Sequence, residues 1–293
     1  SLPGNRAWAK AIIERSKDSS LAIELVQVQS LRDESSLERL IERVREGGKR
    51  WGALPSYERA DKLHNIGSLL EQNRGNLIEV AMSEAGKTFD QADVEISEAI
   101  DFAHYYAEAC VQLTEIDGAV HTPYKLTVVT PPWNFPLAIP AGGALAALAA
   151  GSGVVFKPAG DAARCGALVA SLISQVIDED VFASIQISES GLGQQLISHA
   201  DVDQVILTGG YETAQLFKTF KPDVRLLAET SGKNAIIVTP NADYDLAAKD
   251  IAYSAFGHAG QKCSAASIVI LVGSVSKSER FRRQLIDAIE SLR

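Results

Sequence analysis

The sequence is poor in cysteine and has no basic run, and each shortage excludes a class of protein. Only three of the 293 residues are cysteines, Cys110, Cys165 and Cys263, and they are widely spaced. An odd, scattered set does not predict a disulfide framework, so a reducing compartment is the simpler interpretation. The net charge of −9 and the lack of a basic cluster argue against a nucleic-acid-binding surface.

The sequence also lacks a long hydrophobic run. Its longest apolar stretch, 137–150, has 14 residues and contains Pro140, so it is too short to span a bilayer. The first residues include charges but no apolar segment typical of a secretory signal. We therefore expect a cytoplasmic protein without a membrane span. With 46% hydrophobic and 22% charged residues, the composition suits a globular protein long enough for two domains.

Helical periodicity dominates the chain from residue 35 to about residue 113. Residues 1–34 have weak periodicity and are interpreted as a lead-in or linker. Apolar spacing then predicts a helix with Ser35 or Ser36 as its N-cap and Gly47 as its stop. Further helices are predicted at 56–75, 76–85 and 90–113. The last of them is expected to expose its acidic residues and to bury Val94, Ile100, Phe102 and Tyr106.

From residue 125 onwards, predicted strands alternate with predicted helices. The strands are at 125–130, 153–157, 184–187, 204–208, 224–228, 234–239 and 268–272. The helices are at 137–150, 162–177, 191–198, 211–219 and 243–257. This alternation favours an α/β fold with a Rossmann-like, doubly wound parallel sheet, in which ligands bind beyond the carboxyl ends of the strands. Candidate site residues are therefore sought in the loops that follow strands.

Cys263 is the candidate nucleophile. It lies between a glycine-containing run and small residues, which leave room for a substrate to approach the sulfur. A free thiol has a pKa of roughly 8.5 and needs activation, which Lys262 or nearby backbone N–H groups could supply. The alternative is that Cys263 is a small, buried and inert residue.

Two other loops carry candidate catalytic groups. Asn134 lies in a proline-rich loop, Thr130–Pro136, which would hold its amide rigidly enough to donate to a developing oxyanion. The alternative for that loop is a structural turn. Glu229 lies between two predicted strands and could act as a general base if burial raised its pKa. The alternative is an exposed surface glutamate.

Two more loops could contact a nucleotide. Lys157 follows a strand at the position where the ribose or phosphate of a cofactor lies in a doubly wound sheet. The alternative is a solvated surface charge. Gly209 and Gly210 separate a strand from a helix, so the backbone there could approach a phosphate at the helix N-terminus. By itself, a pair of glycines is weak evidence for such a site.

Taken together, these loops resemble the motifs of the aldehyde dehydrogenase superfamily, in the same order along the chain. The matching segments are Pro132–Pro136, Phe156–Ala159, Leu207–Gly210, Glu229–Asn234 and Gly260–Cys263. Three more segments resemble the L-glutamate γ-semialdehyde (Δ1-pyrroline-5-carboxylate) dehydrogenase branch: Ser83–Lys87, Ala103–Ala107 and Gln261–Ala265. Within that branch, the chain more closely resembles the dehydrogenase half of bifunctional proline-utilisation proteins. Fusion to a flavin-dependent proline dehydrogenase is therefore one implied arrangement.

The resemblance implies a role for each matching residue. Cys263 would attack the aldehyde to form a thiohemiacetal, the Asn134 amide would hold its oxyanion, and Glu229 would activate the water that hydrolyses the later thioester. The implied cofactor-binding residues are Thr130, Pro131, Trp133, Lys157, Pro158, Ala159, Thr208, Gly209 and Gly210. The implied substrate-binding residues are Phe135 and Ser264. No metal is implied.

The implied cofactor is NAD, and NADP stays open. Gly160 stands where many NAD-preferring members of the superfamily have a glutamate. Ser231 stands where the general-base motif usually has glycine, and Gly210 where the phosphate loop often has serine. Of these departures, Gly160 is the one that leaves NADP open.

The resemblance also implies a division into domains. Residues 35–231 would form an NAD-binding domain, with 112–128 as a projecting oligomerisation arm, and residues 232–293 would begin a catalytic domain. The superfamily's later cofactor and substrate segments have no match here, so the chain is interpreted as C-terminally truncated and inactive by itself. The implied whole protein is a homo-oligomer that oxidises L-glutamate γ-semialdehyde in proline catabolism. Another aldehyde specificity, an NAD-binding module without turnover and a cysteine hydrolase are the alternatives.

Overall fold

The computed structural model describes residues 2–292 and contains two compact units. The first ends at Glu229 and the second begins at Thr230, close to the predicted boundary between residues 231 and 232. The assignment of the two units to a cofactor-binding and a catalytic domain stays a prediction. No helix within residues 2–292 is long and apolar enough to cross a membrane.

The first unit is an α/β structure that opens with helices α1 (Pro3–Ser16), α2 (Ile23–Val28), α3 (Glu34–Gly52), α4 (Ser56–Gln72), α5 (Arg74–Ala85) and α6 (Phe89–Gln112). Strands and helices then alternate: β1 (Leu126–Thr130), α7 (Ala138–Ala149), β2 (Gly153–Phe156), α8 (Ala163–Ile173), β3 (Phe182–Ser184), α9 (Leu192–Ser198), β4 (Gln204–Gly209), α10 (Tyr211–Phe220) and β5 (Leu226–Thr230). The strand order is β3-β2-β1-β4-β5, and β1 pairs in parallel with β2 and β4. The predicted Rossmann-like sheet is therefore confirmed.

One strand lies outside its predicted position. β3 ends at Ser184, where the predicted strand, 184–187, begins. The backbone at Gln186 instead forms an isolated parallel bridge with Ser30, from the N-terminal segment. After Ser184 the chain therefore pairs with the segment around Ser30, which is distant in sequence. The local apolar pattern does not indicate such a pairing.

Helix α3 begins and ends differently from its prediction, and Asp33 is its N-cap. The Asp33 carboxylate accepts a hydrogen bond from the Ser36 backbone N–H at 2.9 Å, so the predicted caps, Ser35 and Ser36, are wrong. Hydrogen bonds from the Ser35 hydroxyl and from Ser36 lower the pKa of Asp33 to about 2. The carboxylate thus satisfies a backbone donor that the first turn leaves free.

Gly47 does not stop α3, which continues to Gly52. A Cβ atom on Gly47 would lie 1.7 Å from the Asp180 carbonyl oxygen. One on Gly48 would lie 2.0 Å from the Lys125 carbonyl oxygen, just before β1. These glycines are needed because the helix backbone approaches its neighbours closely, and the predicted stop is therefore wrong.

Within the predicted lead-in, residues 2–34 contain helices α1 and α2 and pack into the first unit. Ile12 is fully buried, and Arg15 Nε lies 2.8 Å from Glu79 Oε2 on α5. The buried residues of α1 are Ile12 and Ser16, which explains its weak apolar periodicity. Its packing comes from a few specific contacts rather than from a broad apolar face.

Helix α6 buries only part of the predicted face, on which Ile100, Phe102 and Tyr106 are half-buried against the core. Val94 is 68% exposed, whereas Ile96, Ala99 and Ala103 are buried. Glu95 is buried beside them, so the expectation that Val94 is in the core and that every acid of this helix is solvated is wrong. Alanines let α6 pack closely against α4 and α7, and that choice of face depends on tertiary packing rather than on the largest apolar residues.

Residues 113–125 form no helix or strand in the described chain, and Ile116 and Val120 are exposed. Their assignment to an oligomerisation arm, residues 112–128, stays a prediction.

The second unit contains β6 (Asn234–Val238), α11 (Tyr244–Phe256), β7 (Ala266–Leu271) and α12 (Glu279–Glu290). β6 and β7 pair in parallel. One face of the pair contributes Val238, Val269 and Leu271 to a core with helix residues, Phe281 among them. The opposite face exposes apolar side chains, as expected from the alternation of side chains along a strand.

Candidate functional site

The carboxyl edge of the sheet brings the predicted cofactor residues of the first unit together. In the register of the sheet, Val129 pairs with Phe156, and Thr130 pairs with Leu207. The residues that follow these positions, including Lys157 and Thr208, therefore emerge at the same edge. This edge lies where the strand order reverses around β1, which is the usual ligand position in a doubly wound sheet.

The loop after β1 is anchored at both ends. The Thr130 hydroxyl donates to the Ile206 carbonyl oxygen on β4 at 3.2 Å. Pro131 and Pro136 are buried, Asn134 and Phe135 are half-buried, and Trp133 is 43% exposed. The loop thus holds the Asn134 amide on a constrained backbone, as an oxyanion donor requires.

Lys157 is held at the end of β2. Its backbone N–H donates to the Val129 carbonyl oxygen at 2.9 Å, and the side chain is half-buried. Burial lowers the pKa of Lys157 below its ordinary value, and the carboxylate of Glu189 opposes that effect. Pro158 is fixed against α8, because a Cβ on Gly166 would lie 2.4 Å from the Pro158 Cβ. Such a partly desolvated cation suits a polar or anionic ligand.

The N-terminus of α10 has no side-chain cap, since its N-cap residue is Gly210. A Cβ atom added to Gly209 or to Gly210 would meet its nearest neighbour at 3.4 Å, an ordinary contact distance. Close packing within the protein therefore does not demand glycine at these positions. Uncapped N–H groups behind small residues at a helix N-terminus fit a phosphate, and the assignment of Thr208, Gly209 and Gly210 to a cofactor stays a prediction.

Glu229 is near the end of β5 and is exposed. Its predicted role as a general base requires burial that raises its pKa. The described first unit does not supply that burial. Glu229 as the general base therefore stays a prediction for the complete protein.

Cys263 lies in the second unit, after a strained run of backbone. His258 and Ala259 have φ values of 57° and 53°, in the left-handed region that costs non-glycine residues energy, and Gly260 follows at 72°. Asn234 then fixes the loop: its side-chain amide donates to the Cys263 carbonyl oxygen at 2.7 Å. Cys263 itself is exposed. A strained but fixed loop with an exposed thiol is consistent with a nucleophile rather than with the buried, inert alternative.

The two sequence neighbours of Cys263 are also placed by the structure. Lys262 Nζ lies 5.8 Å from the centre of the Tyr253 ring, so its ammonium is engaged with an aromatic face. Ser264 is exposed, and its role toward a substrate stays a prediction.

The other two cysteines are packing residues. Cys110 and Cys165 are both buried. Burial raises the pKa of the Cys110 thiol and, together with the nearby Glu84 carboxylate, that of Cys165. Both therefore resist forming the reactive thiolate, in contrast to exposed Cys263.

The predicted residues are thus distributed over two units. Asn134, Lys157 and Gly209 lie at the sheet edge of the first unit, which ends at Glu229, and Cys263 lies in the second. Sequence reasoning missed the residues that hold these loops, such as Asn234, Glu84 and the buried pair of Lys87 and Glu95. Asn234 lies in a segment similar to the superfamily, and Glu84 and Lys87 lie in one similar to the semialdehyde dehydrogenase branch, but neither similarity indicated these contacts.

The fold and site geometry define an α/β protein with a candidate ligand-binding edge in its first unit and an exposed cysteine in its second. The sequence model of the aldehyde dehydrogenase family matches residues 18–293, and the chain belongs to this family. The resemblance inferred from the motifs is therefore confirmed.

Within the family, the chain is similar to proteins named for proline utilisation. The bifunctional protein PutA of Salmonella typhimurium is 36% identical over 253 residues, which make up 83% of this chain and 19% of that protein. The structure of proline utilization A from Corynebacterium freiburgense is 43% identical, with a TM-score of 0.87, over 100% of this chain and 29% of that one. A Thermus 1-pyrroline-5-carboxylate dehydrogenase with bound NAD is 25% identical, with a TM-score of 0.88, over 100% of this chain and 65% of that one. The chain spans only part of the length of each.

Proposed function

We propose that the full-length protein containing this chain oxidises L-glutamate γ-semialdehyde to glutamate with NAD, in proline catabolism. Support comes from membership of the aldehyde dehydrogenase family and from similarity to proline utilization A and 1-pyrroline-5-carboxylate dehydrogenase. The observation that carries the proposal is the exposed thiol of Cys263, on a loop held by Asn234, whereas the other two cysteines are buried.

Each proposed catalytic residue has a task that its chemistry suits. The Cys263 thiolate attacks the aldehyde carbon, and the resulting oxyanion accepts hydrogen bonds from the Asn134 amide and the Cys263 backbone N–H. Loss of hydride from that carbon leaves a thioester on Cys263. Glu229 then removes a proton from the water that hydrolyses the thioester, which releases the acid and restores the thiol.

NAD accepts the hydride when it is bound. We assign its ribose to Lys157 and its pyrophosphate to Gly209 and Gly210, at the uncapped N-terminus of α10. NAD is proposed because the similar 1-pyrroline-5-carboxylate dehydrogenase from Thermus has NAD bound, and NADP stays the alternative. We extend the proposal to a cytoplasmic homo-oligomer, whose full-length chain includes a proline dehydrogenase half, as in the bifunctional relatives.

A comparison of aldehydes and cofactors tests this function. Formation of reduced nicotinamide is followed by absorbance with full-length protein, using L-glutamate γ-semialdehyde, acetaldehyde or benzaldehyde and either cofactor. We expect kcat/KM with NAD and the semialdehyde to exceed the other combinations by about tenfold or more. Preference for another aldehyde would replace the proposed substrate. Cofactor binding without turnover would indicate a binding module, and ester hydrolysis without cofactor would indicate a hydrolase.

A further inference from the structure

The turn between α5 and α6 carries two charged residues directed at two different helix N-termini. Gly86 has a φ of 66°, which only glycine adopts easily, and it reverses the chain between Glu84 and Lys87. Glu84 reaches the start of α8 directly, and Lys87 acts on the start of α7 through Glu95. The turn is therefore placed to act on both loops.

Lys87 acts through Glu95, with which it forms a buried ion pair. Lys87 Nζ lies 2.5 Å from Glu95 Oε2, and the two side chains are 2% and 1% exposed. Glu95 Oε1 accepts hydrogen bonds from the backbone N–H groups of Leu137 at 2.7 Å and Ala138 at 3.0 Å. These are the N-cap and first residue of α7, which has no cap from its own side chains. The carboxylate therefore fixes the point at which the loop of Asn134 enters α7.

The same pair also contacts the loop on its other side. Lys87 Nζ lies 4.4 Å from the centre of the Phe135 ring, the residue next to Asn134. Burial raises the pKa of the Glu95 carboxyl, and the Lys87 ammonium and the two N–H groups oppose that effect. A buried ion pair is often no more stabilising than apolar residues of the same size. The contacts of this ion pair on both sides of Asn134 suggest a role in positioning that loop, in addition to any effect on stability.

Glu84 makes the corresponding contact at α8. Its two carboxylate oxygens accept hydrogen bonds from the backbone N–H groups of Arg164 at 2.8 Å and Cys165 at 2.7 Å. These residues lie in the first turn of α8, shortly after Lys157. A carboxylate at this end of a helix also interacts favourably with the helix dipole. Glu84 therefore fixes the chain that leaves the Lys157 loop.

We propose that Glu84 and the Lys87–Glu95 pair are positioning residues, with Glu84 acting on cofactor binding through Lys157 and the pair acting on turnover through Asn134. The proposal rests on the proposed function. It predicts separable effects from residues only a few positions apart. Changes to the pair lower kcat, whereas changes to Glu84 weaken NAD binding.

The variants avoid leaving an unpaired charge in the core. Lys87→Met/Glu95→Leu removes both charges and the acceptor for α7, whereas Lys87→Met/Glu95→Gln removes the charges and keeps an acceptor. Asp101→Asn, at an exposed acid on α6, is the matched surface control. All are made in the full-length protein, and kcat is normalised to titratable Cys263 thiol.

Turnover measurements test the pair. We expect Lys87→Met/Glu95→Leu to lower kcat about tenfold or more, because small misplacement of a catalytic group is costly. The glutamine version and Asp101→Asn should stay within about threefold of wild type. In an Asn134→Ala background, the leucine version should cause little further loss, since the pair acts through Asn134. If the leucine version does not fold, Glu95→Asp replaces it under the same criteria, because it keeps the charge but shortens the reach.

NAD titration by fluorescence tests Glu84. Glu84→Ala should raise the Kd for NAD several-fold and leave kcat at saturating NAD within about twofold. Lys87→Met/Glu95→Leu should instead lower kcat and leave the Kd for NAD close to that of the wild type.

Two results overturn the part that concerns the pair. One is an unchanged kcat in Lys87→Met/Glu95→Leu although Asn134→Ala lowers kcat. The other is a loss of kcat from Lys87→Met/Glu95→Leu that is as large in the Asn134→Ala background as in the wild type. Unchanged NAD binding in Glu84→Ala overturns the part that concerns Glu84. Failure of the proposed function has a different signature, namely a wild-type protein without turnover or an Asn134→Ala variant with wild-type kcat.

Discussion

Lys157 is half-buried at the sheet edge, and burial lowers the pKa of its ammonium. Keeping the Lys157 ammonium charged therefore costs free energy in the folded protein. A bound ligand that contacts the ammonium would offset that cost. We expect Lys157→Met to raise the free energy of unfolding of the free protein by roughly 1 kcal/mol near neutral pH and to weaken NAD binding. Chemical denaturation and NAD titration measure the two effects.

The pH dependence of this gain follows from the lowered pKa. Below the folded-state pKa, Lys157 is charged in both states and the wild type has the full penalty. As pH rises towards the ordinary lysine pKa of about 10.4, the unfolded state also loses its proton and the penalty disappears. The gain from Lys157→Met should therefore shrink as pH rises. A gain that grows with pH, or unchanged NAD affinity, would argue against this assignment of Lys157.

Glu229 is predicted to act after hydride transfer, in hydrolysis of the thioester. Glu229→Gln in the full-length protein should therefore give a burst of reduced cofactor followed by a slow steady state, with turnover reduced on the order of 10²–10⁴. Stopped-flow absorbance separates the two phases. Wild-type steady-state turnover in this variant would mean that Glu229 is a surface residue only.

The residues proposed to carry chemistry have a clearer sequence signal than those proposed to position them. Cys263, Asn134 and Lys157 lie in loops whose glycine and proline content stands out in the sequence. Glu95, by contrast, is one acid in an acidic helix, and only tertiary packing makes it buried while its neighbour Val94 is exposed.

Helix α3 depends on two glycines for its close contact with the sheet. Gly48→Ala would place a Cβ 2.0 Å from the Lys125 carbonyl oxygen, a backbone atom that cannot move aside cheaply. We expect the variant to lose roughly 1–3 kcal/mol of unfolding free energy, measured by chemical denaturation. Gly4→Ala on α1 is the control, because a Cβ atom there would have no atom within 4 Å of it. Equal stability of both variants and the wild type would show that α3 is not closely packed here.

At the scale of elements, the sheet was predicted well because strand and helix periods alternate clearly from β1 onwards. The errors occurred where tertiary contacts determine the end of a helix or the residues that it buries. Gly47 has the local pattern of a helix stop, but it is a site of close approach. α1 buries too few residues for a periodic signal, although Ile12 is in the core.

At the scale of the whole chain, the second unit exposes one apolar face of its two-stranded sheet. Ile237 is 62% exposed, and Ile268 and Ile270 on β7 are 48% and 46% exposed. A contiguous apolar patch of this kind favours association. We expect the 293-residue polypeptide to self-associate in sedimentation velocity and Ile268→Thr/Ile270→Thr to reduce the associated fraction.

Val28→Thr is the control for that experiment, because Val28 on α2 is 84% exposed and lies outside both this sheet and residues 112–128. Unchanged association in the double variant would exclude the exposed sheet face as its cause.

The most direct test of the account is Cys263→Ala in the full-length protein, assayed for both aldehyde oxidation and NAD binding. Cys263 in the second unit is the proposed nucleophile, and the cofactor is proposed to bind at the sheet edge of the first unit. We therefore expect formation of reduced nicotinamide to be abolished while the Kd for NAD stays close to that of the wild type, and Cys165→Ala to keep wild-type turnover. Turnover by Cys263→Ala at a tenth or more of the wild-type rate would contradict the account.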